Sequence, residues 1–114
     1  MAKTILSEHY EQALVIQFMR RTYPEVLIFA IPNGGQRSAA TGARLKAEGV
    51  VPGVPDLFIP AWGLFIEMKT LTGKVSPEQK AMIEYLQSVG YSAIVAKGAN
   101  AAIAEIQRIK SERK

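Results

Sequence analysis

The chain of 114 residues has a single aspartate, Asp56, which follows Gly53-Val54-Pro55 at the head of an apolar run, and Glu67-Met68-Lys69 closes the next apolar run. If the two runs are strands joined by a tight turn, Asp56 comes beside Glu67. Lys69 then shares the face of Glu67, because side chains alternate along a strand. Two carboxylates placed opposite each other repel, and burying them uncompensated is costly, so the pair calls for a cation or for raised pKa values. Hard oxygen donors suit Mg²⁺ or Mn²⁺, with the Met68 backbone carbonyl as a further ligand. A lysine at the rim of such a centre can hold an attacking water and offset charge on a phosphate. The chemistry this set fits is metal-dependent hydrolysis of nucleic acid phosphodiesters.

These side chains need elements to position them. Ser7 is placed to cap a first helix running to about Thr22, with Pro24 beyond it as a stop. Glu11, Leu14, Val15 and Phe18 fall on one stripe of that helix, so an acid lies on the face that packs against the fold. Val26 to Ile31 reads as a buried strand, Asn33-Gly34-Gly35-Gln36-Arg37 as a flexible loop, and Ala39 to Glu48 as a short helix stopped by Gly49.

Leu57–Pro60 and Leu64–Lys69 form two strands around Ala61-Trp62-Gly63. A two-residue turn at Ala61-Trp62 pairs Phe58 with Phe65 and Asp56 with Glu67, at about 5 Å between Cβ atoms. A three-residue loop using Gly63 would instead set Asp56 opposite Met68. The metal-site reading therefore predicts the first register, with Leu64, Ile66 and Met68 turned to the core. Ser76-Pro77-Glu78-Gln79 is a capping-box start for a helix to about Val89, with Gly90 at its C′ position. Gln79 shares a face with Met82, Ile83 and Leu86, and so points to the sheet. Tyr91 to Ala96 is a last strand. Asn100 is the expected cap of a final helix with Ile103, Ile106 and Ile109 inward, and the basic tail from Arg108 is expected to fray.

Composition narrows the classes of function. At 48% hydrophobic residues the chain makes one compact domain, 1–114, and its net charge of +4 fits a polyanionic partner without requiring one. Cysteine is absent and His9 is the one histidine, which excludes disulfides, thiolate chemistry and Cys- or His-cluster metal sites. No run is long enough to span a bilayer, and Met1-Ala2-Lys3-Thr4 lacks the apolar core of a signal peptide, so a cytoplasmic location is expected. Asn33-Gly34-Gly35 lacks the ending of a nucleotide-binding P-loop. Arg20, Arg21, Arg37, Arg44, Lys46, Lys74 and Lys97 count as phosphate contacts only if they gather around one cleft. Trp62 is expected to pack over the hairpin, and His9 to be a surface residue.

Pro55-Asp56 with Glu67-Met68-Lys69 resembles the PD-(D/E)XK nuclease superfamily. The longer string of Ile31-Pro32-Asn33-Gly34-Gly35, Gly49 to Asp56, Phe65 to Lys69 and Ser76 to Gln79 resembles its VRR-NUC branch. That resemblance implies an α/β fold with a restriction-endonuclease-like αβββαβ core, a small mixed sheet flanked by helices. It also implies a Mg²⁺ or Mn²⁺ nuclease site at Glu11, Asp56 and Glu67, with Lys69 and an accessory Gln79. Gln79 could orient the Lys69 ammonium or bond a phosphate oxygen. Val50-Val51-Pro52 stands where the branch has Val-Arg-Arg, so those arginines are missing. Stand-alone members, from bacteriophages or bacteria, resemble Holliday-junction resolvases. The resemblance therefore implies a homodimer acting on four-way DNA junctions, in the host cytoplasm if phage-encoded. A flap or single-strand-end nuclease and an inactive DNA-binding module are the rival readings.

Overall fold

The computed structural model describes residues 5–32 and 39–113. The element order is α1 (Glu8–Thr22), β1 (Phe29–Ala30), α2 (Ala39–Ala47), β2 (Leu57–Ile59), a 3-10 turn (Pro60–Trp62), β3 (Leu64–Lys69), α3 (Pro77–Ser88), β4 (Ser92–Lys97) and α4 (Ala99–Glu112). One four-stranded sheet runs in the order β1-β2-β3-β4. Its first two pairings are antiparallel and β3 pairs with β4 in parallel. The parallel pair is joined by α3, the crossover such a connection needs.

The hairpin has the register that sets Asp56 across from Glu67. Leu57 pairs with Ile66, Phe58 with Phe65 and Ile59 with Leu64. The connection is nevertheless longer than a two-residue turn: Pro60 to Gly63 lie between the last paired residues, and the Gly63 N–H donates to the Pro60 carbonyl at 3.1 Å. Gly63 closes it in the left-handed region at φ 55°. Four residues instead of two keep the even parity, so the faces are unchanged.

That parity divides the sheet. Leu57, Ile59, Leu64, Ile66 and Met68 are fully buried against Val15 and Met19 of α1 and Ala102 and Ile106 of α4. The opposite face carries Phe58, Phe65, Glu67 and Lys69, and α3 lies on that side with Leu86 buried. Phe58 stacks on Phe65 at 4.2 Å between ring centroids, and Phe29 and Tyr91 meet these rings edge-on.

Several boundaries differ from expectation. The strand expected from Val26 shrinks to Phe29–Ala30, both exposed, because only Phe29 and Ala30 find partners on β2. The cap of α4 is Gly98 without a side-chain bond, not Asn100, which lies inside the helix. The basic tail is helical to Glu112 instead of frayed, since Arg108 forms ion pairs with Glu105 at 2.7 Å and Glu112 at 3.1 Å. Arg113 also donates to the Ala61 carbonyl at 2.9 Å, tying this end to the hairpin turn. Trp62 is half-buried and meets Tyr23 edge-on at 6.0 Å. Asn33 to Arg37 lie outside the described residues. No helix among the described residues is long and apolar enough to cross a membrane.

Candidate active site

Asp56 is fixed from two directions where β2 begins. Its backbone carbonyl accepts from the Ile31 N–H at 2.7 Å, and its Oδ2 accepts from the Met68 N–H at 2.8 Å. The side chain thus takes a ladder bond that the strand partner would otherwise supply. That bond orients the carboxylate across β3, toward Glu67.

Glu67 is 1% exposed. Burial, the adjoining Asp56 charge, a hydrogen bond with the Asp56 carboxyl and the more distant Glu8 push its pKa from 4.5 to about 8, against the pull of Lys69. At neutral pH Glu67 therefore keeps its proton, as a buried acid beside another acid does when nothing else compensates it. A divalent cation would remove the same conflict, so this pair fits the hard-cation site that the sequence suggested.

Lys69 lies two residues along the same face and is 8% exposed. It makes no ion pair among the described residues. Its ammonium is held near the acids by the strand and left available to a further anion.

Gln79 reaches the pair from α3. Its Oε1 accepts from the Ser76 N–H at 2.9 Å while its own N–H donates to Ser76 Oγ at 3.2 Å, the reciprocal capping box. With the oxygen committed to the cap, Nε2 is aimed at Glu67 and donates to Oε2 at 3.3 Å. The partner is thus Glu67, where the sequence suggested Lys69 or a phosphate.

Glu11 is buried, as its stripe requires, but its carboxylate lies against Gly98, Leu71 and the start of α4. The cause is the parity of the sheet: α1 packs on the Ile66–Met68 face and Glu67 stands on the other. No group of three His, Cys, Asp or Glu side chains placed to hold a metal occurs among the described residues. The acid of α1 whose field reaches Glu67 is Glu8, one turn earlier. Glu8 precedes the run from Glu11 to Phe18 that marks the apolar stripe in the sequence; its place in the first turn, one turn before Glu11 and two before Val15, is the signal that was there. The cations are spread over several surfaces. Arg20 lines a groove with His9, Arg21 one beside Asn100, and Lys97 the cavity at Glu11.

Comparison with known proteins gives a family. The VRR-NUC domain profile matches residues 5–100. A solved structure described as a VRR_NUC domain protein superposes with a TM-score of 0.79 at 31% sequence identity, covering 96% of this chain and 92% of that one. None of the curated proteins compared with the chain matches it significantly.

Proposed function

The chain belongs to the VRR-NUC domain family of nucleases with a restriction-endonuclease-like fold, and on that premise we propose that it is a metal-dependent endonuclease that hydrolyses DNA phosphodiesters at Asp56, Glu67 and Lys69. One observation carries the reading: the buried Glu67 meets the half-buried Asp56 beside a lysine that has no ion-pair partner among the described residues. Asp56 and Glu67 would hold Mg²⁺ or Mn²⁺, with the Met68 carbonyl between them as a third oxygen. When bound, that ion supplies positive charge where negative charge gathers on the phosphate.

The protein's own groups do the rest. The Met68 N–H and the Ile31 N–H hold Asp56 in place, and Gln79 holds Glu67 in one rotamer, so neither carboxylate reorganises as charge shifts. Lys69 orients the attacking water and meets the charge on the phosphoryl oxygens. Glu11, held against Gly98, is the acid whose share Glu11→Gln would measure.

The proposed substrate is a four-way DNA junction and the proposed working form a homodimer. One small domain has one site and cuts one strand, whereas symmetric resolution requires two sites related by a two-fold axis.

The deciding experiment offers labelled four-way junctions, flaps, single strands and linear duplexes at matched salt with Mg²⁺ or Mn²⁺. The wild type should cut the junction best, and Glu67→Ala and Lys69→Ala should lose on the order of 10²- to 10³-fold in cutting while still binding. Junction binding without cutting in either metal would sink the enzyme reading in favour of an inactive binding module. Preference for flaps or ends would move the substrate within the nuclease reading, and sedimentation as a monomer with junction would remove the dimer.

A further inference from the structure

The segment Gly49 to Asp56 contains two glycines in the left-handed region, and they differ in what surrounds them. Gly49, at φ +99°, has open space where a side chain would go. Gly53, at φ +89°, does not: a Cβ there would lie 2.6 Å from the Glu78 carbonyl oxygen, 2.7 Å from its carbon and 3.0 Å from the Gln79 nitrogen. The backbone three residues before Asp56 therefore rests directly on the first turn of α3. That turn is the one whose capping box aims the Gln79 amide at Glu67.

We propose that Gly53 is a positioning residue of the acid site: the bare backbone contact between Gly53 and the Glu78–Gln79 peptide sets the distance at which Gln79 meets Glu67. Asp56 belongs to the segment on one side of this contact and Gln79 to the helix on the other. Glu67 receives both. The three heavy atoms nearest a methyl at position 53 are all backbone, so α3 must move as a unit and carry Gln79 off Glu67. The two glycines thus separate two demands: Gly49 meets a conformational one alone, and Gly53 meets that and a spatial one.

The activity arm of the test rests on the nuclease reading, and a second arm does not. Gly53→Ala and Gly49→Ala should both lose stability, since each forces a side chain into the left-handed region. Only Gly53→Ala should shift the Gln79 side-chain amide signal in nitrogen–proton correlation spectra, toward the position it takes in Glu67→Ala. Measured at equal folded fraction, cutting by Gly53→Ala should fall on the order of 10²-fold, the cost of about 1 Å of misplacement, while Gly49→Ala stays close to wild type. Gly53→Ala combined with Gln79→Ala should fall no further than the worse single variant.

Gly53→Ala behaving like Gly49→Ala in both arms overturns the proposal, as do losses that multiply in the double variant. If the wild type cuts no DNA, the nuclease reading fails and the amide signal still decides the role of Gly53. If Gly53→Ala does not fold, Gly53→Asn against Gly49→Asn makes the same comparison, because asparagine tolerates the left-handed region. The wild type must then also show a nuclear Overhauser contact between the Gly53 α-protons and the Gln79 N–H. Its absence removes the premise.

Discussion

At the scale of single residues the site is a conflict of charge that the fold holds in place. Glu67 is buried beside Asp56, and its pKa rises from 4.5 to about 8. The folded state then binds this proton more tightly than the unfolded chain does. Its contribution is fully present below about pH 4.5 and is lost as the pH climbs toward 8. Thermal melts in chelator should therefore show the metal-free protein losing stability from pH 5 to 8, by a few kcal/mol at most. Glu67→Gln, which cannot ionise, should flatten that slope. A wild type whose melting point is level or rises over the range would mean that Glu67 ionises freely. That Asp56, Glu67, Lys69 and Gln79 come together was legible from residue type and spacing alone, because they lie on strands or a capped helix turn whose geometry is local. The position of Glu11 against Gly98 was not, since which sheet face receives α1 depends on the packing of Val15 and Met19 against Ile66 and Met68. No spacing within the helix encodes that choice.

At the scale of elements, the strongest sequence signals were those in which side chain and backbone satisfy each other. Ser7 caps α1 by accepting from the Tyr10 N–H, and Ser76-Pro77-Glu78-Gln79 opens α3, both as read from sequence. The misreadings have two causes. β1 is cut to two residues by the extent of β2, a partner distant in the chain, whereas α4 is extended by local ion pairs of Arg108 with Glu105 and Glu112, one turn to either side, and its end is tied to the hairpin by Arg113. The α3 start does double duty, which makes it testable apart from chemistry. Ser76→Ala removes one half of the capping box and should cost about 1 kcal/mol, a fall of roughly 5 °C in melting temperature for a domain of this size. Gln79→Glu keeps an oxygen for the Ser76 N–H but loses the donor to Glu67, so its melting point should fall less while its cutting falls more. If the two variants lose stability and activity in the same proportion, the helix start serves the fold alone.

At the scale of the whole molecule, the divalent cation proposed for this site would compete with the proton on Glu67 for one place, which would link metal binding, pH and global stability. An ion that binds the folded chain at ten times its dissociation constant adds about 1.4 kcal/mol by mass action. At pH 8 the carboxyl pair is open to the ion for about half the molecules, given a Glu67 value of about 8. Two pH units lower the proton must be displaced first, and the apparent affinity drops by about fiftyfold. The Mg²⁺- or Mn²⁺-induced rise in melting temperature should therefore amount to several degrees at pH 8 and nearly vanish at pH 6 at the same ion concentration. The same titration in Glu67→Gln should show little rise at either pH. In Glu11→Gln the rise should survive, because Glu11 lies against Gly98 and, among the described residues, forms no three-acid group with the pair. A rise equal at both pH values would place the ion away from Glu67. A rise lost in Glu11→Gln would mean that α1 swings its carboxylate into the site once the cation arrives, so that metal binding also changes how α1 meets the sheet.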